Sequence, residues 1–166
     1  MHRAFRKMKK IFFILNIILI GHLSAGPEDA IKKFFQDFNN EDILAINKNS
    51  DSPFIFIMGK NAVLEGKYGD AINFNGLKKD GWSYSKINTS KVLYNDDDTS
   101  MVQVNFSRFD KDNEIILTSD VTYLLVNKDG NWKLKGGFSP NLATLGNERK
   151  IIKSSDNRFR KKNRNS

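Results

Sequence analysis

Arg108, Ser119 and Tyr123 are the polar residues best placed to do chemistry, because strand alternation sets all three on a largely hydrophobic face. They lie in two consecutive hairpin patterns covering residues 99–138. TSMVQVNFSRF turns at Asp110-Lys111-Asp112-Asn113 into EIILTSDVTYLLV, which turns at Asn127-Lys128-Asp129-Gly130 into NWKLKGGF. Pairing Phe109 with Glu114 sets Phe106 opposite Leu117 and Val104 opposite Ser119. Pairing Val126 with Asn131 sets Leu125 opposite Trp132 and Tyr123 opposite Leu134. Both registers put Val102, Val104, Phe106, Leu117, Val121, Tyr123, Leu125, Trp132, Leu134 and Phe138 on one face. The other face is mostly polar, and it includes Asp120.

A polar group on the apolar face is costly unless it is hydrogen-bonded, so each of the three needs a partner or a ligand. Arg108, beside the hairpin end, is either a snorkelling or salt-bridged arginine or an anion clamp at a pocket rim. Tyr123 is more central: its hydroxyl either bonds to backbone within a packed core or projects into a pocket, orienting a ligand or acting as an acid. Ser119 is a small residue suited to a bend, and a third polar group for a pocket. Phe106 belongs to the same lining. Trp82 and Trp132, at strand ends, read as rim packing or as platforms against a flat apolar ligand.

Some chemistry is absent. The chain has no cysteine, which excludes disulfides, thiolate metal sites and a thiol nucleophile. Its histidines are His2 and His22. Asp96-Asp97-Asp98 lacks the glycine and glutamate spacing of a calcium loop and reads as turn chemistry. No metal and no cofactor are expected.

The positive charge sits at the ends. The formal net charge is +8, but the first 25 residues carry five Lys or Arg and no acid, and the last 20 carry eight against two acids. Residues 26–146 hold 14 basic and 17 acidic residues. A nucleic-acid groove across the domain is therefore not expected. MHRAFRKMKK followed by IFFILNIILI and Gly21-His22-Leu23-Ser24-Ala25 has the layout of a secretory signal peptide cleaved after Ala25. That layout predicts a periplasmic or secreted domain with both histidines removed. The alternatives are an uncleaved N-terminal anchor and a start at Met8. Residues 147–166, rich in Asn, Ser, Lys and Arg, read as a disordered basic tail, solubilising or in contact with an anionic membrane surface.

Between these ends, residues 26–146 form one domain. Ala30, Ile31, Phe34, Phe35 and Phe38 make a helical stripe, and a short helix through Ile43, Leu44 and Ile46 follows. Asn49 to Pro53 reads as a loop, Phe54–Met58 as a short buried strand and Ala62–Glu65 as a second. Tyr68 to Leu77 reads as a small helix with Ala71, Ile72 and Phe74 inward. A long strand from Trp82 to Tyr94 leads into the hairpins, and Gly136-Gly137 marks a bend or bulge in the last strand. The order predicts an α+β fold.

This order, with the segments FFQDFNNEDILAI, FIFIMGKNAVLEG and TYLLVNKDGNWKLKGGF, resembles the nuclear transport factor two-like superfamily, which includes the SnoaL-like proteins. Its Phe-x-x-Phe-Asn-x-x-Asp helix and final Lys-Asp-Gly-x-Trp-x-Leu hairpin carry the likeness over roughly 27–140. The resemblance implies a cystatin-like, SnoaL-like cone: a strongly bent antiparallel sheet with three N-terminal helices in its concave face and a pocket at the open end. It also implies a homodimer through the outer sheet face. Its enzymes (ketosteroid isomerase, scytalone dehydratase, limonene epoxide hydrolase and polyketide cyclases) place a carboxylate, alone or with a histidine, inside the cone; other members only bind or dimerise. The fold alone selects no activity. Here Asp120 faces outward and Glu65 is the candidate acid, with Tyr123 and Arg108 beside it; otherwise Glu65 is a solvated strand residue. The leading expectation is a binding module for a small, largely apolar ligand. An isomerase, dehydratase or cyclase using a pocket carboxylate is the alternative, and a structural domain with a filled cone the third.

Overall fold

The computed structural model describes residues 25–140 and 145–146. The expected signal peptide, its cleavage or anchoring, and the basic tail lie outside the described residues. The elements are α1 (Pro27–Asn39), α2 (Ile43–Lys48), β1 (Ser50–Met58), β2 (Asn61–Glu65), a 3-10 turn at Tyr68–Ala71, α3 (Phe74–Lys79), β3 (Tyr84–Asn95), β4 (Thr99–Phe109), β5 (Ile115–Lys128) and β6 (Asn131–Ser139). The six strands form one sheet in the order β2-β1-β6-β5-β4-β3. Every pairing is antiparallel except β1 with β6, which is parallel. The sheet is thus mixed, where the resemblance implied an antiparallel one.

α1 is the central packing element, touching β3 and β4 as well as β6. Pro27 supplies a fixed φ at its start, and the Gly26 N–H donates to Asp29 Oδ2 at 3.3 Å. Ile31, Phe34, Phe35 and Phe38 are buried along one stripe, as their spacing predicts. The Phe-Asn-x-x-Asp motif has a structural role at each polar position. Asn39 bonds twice to the backbone of Ser85: its Nδ2 donates to the carbonyl at 2.8 Å and its Oδ1 accepts from the N–H at 2.8 Å. That couples the end of α1 to β3 as a strand neighbour would. Asp42 caps α2 by accepting the Ala45 N–H at 2.9 Å. Asp37, a buried carboxylate that the apolar pattern gave no reason to notice, pairs with Lys33 and accepts from Asn49 Nδ2 at 3.2 Å.

The hairpin registers differ from expectation by two residues. Val104 pairs with Val121 and Phe106 with Ser119; Leu125 pairs with Leu134 and Asn127 with Trp132. The last hairpin closes through a two-residue loop, with Asp129 at φ 53° and Gly130 at φ 80°. Both residues in the left-handed region give the loop whose twist matches that of the strands. A shift of two preserves the face of every side chain, so most of the expected inward set is buried.

Phe138 is the exception. Leu125 pairs with Leu134 but Leu124 with Gly136, leaving Lys135 as an extra residue on β6. This bulge, at the expected Gly136-Gly137 bend, reverses the side-chain parity beyond it. Gly137 and Ser139 turn inward, and Phe138 is 44% exposed. The glycines also permit the parallel pairing. A Cβ on Gly136 would lie 2.9 Å from the Ile55 carbonyl oxygen, and one on Gly137 would lie 2.7 Å from the Phe56 ring. Residues 50–53, expected as loop, begin β1: Ser50 pairs with Leu134, and the register breaks before Ile55 meets Gly136.

Candidate functional site

One cavity opens between α1 and the inner sheet face. Phe34, Phe35 and Phe38 reach it from α1, where their helical spacing carries all three to one side. Phe56 enters from β1, Phe106 and Arg108 from β4, Val121 and Tyr123 from β5, each pair two residues apart on its strand. Tyr68 closes one side from the 3-10 turn, and Ser85, Ser139 and Leu145 complete the wall. The space between these side chains, mouth included, is about 370 Å³. Its enclosed part is narrow, with room for little more than a water molecule.

The aromatic residues support one another. Tyr68 stacks on Phe54 with centroids 4.2 Å apart and on Phe34 at 4.8 Å, and Phe34 meets Tyr123 edge-on at 5.7 Å. Phe35 meets Phe106 edge-on at 5.6 Å. These contacts hold the rings in offset and edge geometries that favour a fixed wall.

The polar end of the cavity is built from Arg108, Tyr68 and Tyr123. Arg108 is 6% exposed, with its guanidinium carbon 5.8 Å from the Phe106 ring centre. Burial lowers its pKa from the usual arginine value, while Tyr68, Tyr123 and Asp80 act in the opposite sense. Burial also pushes the Tyr68 phenol up to about 12. Tyr123 is raised well above the ordinary tyrosine value, first by burial and then by Tyr68. The two hydroxyls act on each other's ionisation, and both phenols are neutral at physiological pH. Ser85 Oγ accepts the indole N–H of Trp82 at 3.0 Å, and Ser139 Oγ donates to the Asp120 carbonyl at 2.9 Å. No carboxylate is among the described residues that line the cavity.

Of the residues singled out from sequence, the fold brings Arg108, Tyr123 and Phe106 together at this cavity. Ser119 is buried one layer away, 3.5 Å from Ser139 Oγ. Trp82 is buried against Phe38, at 5.3 Å, and Phe74, at 5.6 Å, rather than lining the space. Trp132 is half-buried at the last hairpin, away from it. Glu65 pairs with Phe54 at the end of the edge strand β2 and is half-exposed outside the cavity. Asp120 faces outward, as expected, and accepts from Asn105 Nδ2 at 3.0 Å. Neither Glu65 nor Asp120 is among the described residues that line the cavity. Among the described residues no cluster of His, Cys, Asp and Glu is arranged to hold a metal, and no helix is long and apolar enough to cross a membrane.

Tyr68, Ser85, Ser139 and Leu145 were not apparent from sequence. Tyr68 follows Gly66-Lys67 and carries the only readable signal, an amphipathic aromatic at the start of a short helical piece. Leu145 is set by a close crossing: the Asn73 N–H donates to its carbonyl at 2.8 Å, and Asn73 Nδ2 donates to the Gly146 carbonyl at 3.2 Å. A Cβ at Gly146, whose φ is +77°, would lie 2.2 Å from the Asn73 carbonyl oxygen.

A six-stranded mixed sheet with helices on one face and an aromatic-lined cavity between the layers defines an α+β domain of the cystatin-like type. The family model described as NTF2-like protein (DUF6841) matches residues 28–140, and the chain belongs to that family. Similar solved structures include an NTF2-like protein from Cytophaga hutchinsonii, 20% identical, with a TM-score of 0.52 over 69% of this chain and 93% of that one. A protein of unknown function from Shewanella oneidensis, also NTF2-like, is 17% identical, with a TM-score of 0.53 over 69% of this chain and 98% of its own. A ketosteroid isomerase-like protein from Erwinia carotovora atroseptica is 17% identical, with a TM-score of 0.50 over 72% and 95%. At these identities the likeness is one of fold. No curated protein matches the chain.

Proposed function

We propose that this domain is a binding module for a small, largely apolar ligand held in the cavity between α1 and the sheet. The observation that carries the reading is the lining itself: five phenylalanines around a space that also offers a guanidinium and two neutral phenols, with no acid among the described lining residues. Mostly apolar walls with a few convergent polar groups are the usual composition of a small-molecule site. No general base for proton transfer is among the described lining residues, so the reading is retention rather than conversion.

Native mass spectrometry of protein purified from its own host tests this. The expected result is a small-molecule adduct that is lost on denaturation and is absent from Val121→Phe, which sets a ring into the space. A protein at its bare mass, whose lining resonances also ignore a small apolar probe such as toluene, would refute it.

The reading includes a second copy of the chain on the outer sheet face. It is supported by a row of exposed apolar side chains in register across the sheet: Leu64, Ile55, Leu124 and Met101, with Ile55 and Leu124 flanking Gly136. A twofold axis through such a row superposes it on its own copy. Export, expected from residues 1–25, belongs to the same proposal.

A further inference from the structure

The binding reading leaves the ligand's chemistry open, and the cavity's polar end narrows it. Resting on that reading, we propose that the cavity takes a small monocarboxylate with a compact apolar body, its head group set against Arg108 and the Tyr68 and Tyr123 hydroxyls. Arg108 lies two residues after Phe106 on β4, so strand alternation directs both to the inner face. Tyr68, Tyr123 and Asp80 all act on its charge electrostatically, and the two phenols line the same space as the arginine. Guanidinium and phenol are both hydrogen-bond donors, and a planar carboxylate matches the arginine fork. No acid is among the described lining residues; Asp80 acts on Arg108 from outside that lining, and a guanidinium with two donor hydroxyls favours an anion over a cation or an amine. A single cation suits a monoanion better than a phosphate dianion. Because the enclosed part admits little more than a water molecule, the body is small, a ring or a short alkyl chain, and extends into the mouth of the space.

The experiment compares two acids with their amides, which differ little in shape but lack the charge. Benzoate, benzamide, butyrate and butyramide are titrated at pH 7 into the wild-type protein and Arg108→Gln, with toluene as the neutral apolar reference, following amide NMR shifts of lining residues. The acids are expected to bind wild type about tenfold more tightly than the amides, the worth of a charge-assisted hydrogen bond. Arg108→Gln is expected to bring acid and amide to the same affinity. Amides binding wild type as well as the acids, or toluene binding while the acids do not, overturns the anion assignment and leaves the binding module standing. This wild-type comparison decides even if Arg108→Gln does not fold. An acid preference that persists in Arg108→Gln also overturns the role of Arg108. No lining response to any of the five probes overturns the binding reading together with this one.

Discussion

Gly137→Ala is the substitution whose cost the structure specifies most directly. Gly137 lies on β6 beyond the Lys135 bulge, opposite Tyr123 on β5 and beside Phe56 on β1. A Cβ there would lie 2.7 Å from both Cδ2 and Cε2 of Phe56 and 3.6 Å from Tyr123 Cδ1. The first two distances are well inside van der Waals contact, and Phe56 cannot simply step aside. It is 3% exposed, with ring centroids 6.4 Å from Phe54 and 6.1 Å from Tyr68. Overpacking of this kind costs about 1–3 kcal/mol. Replacing a strand glycine returns about 0.4–1 kcal/mol through the unfolded chain. The expected net loss is therefore about 1–2 kcal/mol. Urea unfolding followed by tryptophan fluorescence would show a midpoint lower by about 0.5–1 M, taking m near 2 kcal/mol/M. Phe56→Leu, which removes the ring edge, should rescue part of the loss in the double mutant, with a coupling of about 1 kcal/mol. A Gly137→Ala midpoint within 0.2 M of wild type, or strict additivity with Phe56→Leu, would refute the close-approach argument.

Asn39→Ala removes both bonds from α1 to the Ser85 backbone and leaves its N–H and carbonyl without those partners. It should cost about 2–3 kcal/mol by urea unfolding, with Asn39→Asp, which keeps only the acceptor, intermediate. Tyr68 gives a pH dependence of fixed sign. Its folded pKa, about 12, lies above the unfolded value near 10, so the folded state holds its proton more tightly. The stability it contributes is fully present below pH 10 and falls by about 1 kcal/mol between pH 10 and 11; Tyr68→Phe should lessen the fall in that part of the urea-midpoint profile by that amount, with Tyr123 giving a further share. Sedimentation velocity of the wild-type protein should show a dimer, and Leu124→Glu, charged at the centre of the outer apolar row, a monomer of unchanged fold. Sequencing of the mature protein from its host should begin at Gly26; a chain beginning at Met1 or Met8 would refute cleavage.

The inner face of the sheet was legible because strand parity survives a register error of two residues. The last hairpin pairs on into its four turn-forming residues and leaves a loop of two, yet Val104, Val121, Tyr123 and Leu134 stay inside. A bulge is different, because one extra residue reverses every side chain beyond it. Gly136-Gly137 signalled an irregularity, but not that Phe138 would leave the core. The stripe on α1 was equally plain, since Phe34, Phe35 and Phe38 need only a local period to find one face.

Local period and composition alone thus determined the α+β class, the Phe-rich helix, the inward sheet face, and the placement of Arg108, Phe106 and Tyr123 among apolar neighbours. Only the tertiary structure decided which of these share a cavity. It brought Tyr68 to Tyr123 from 55 positions away in sequence, inserted Leu145 through its crossing with Asn73, and left Glu65, Trp82 and Trp132 off the wall. The reason is physical: a repeat of two or 3.6 residues fixes which side of an element a residue occupies. The distance between elements is set by packing, here by two glycines that let β1 lie against β6 and by the rings that meet between sheet and helix.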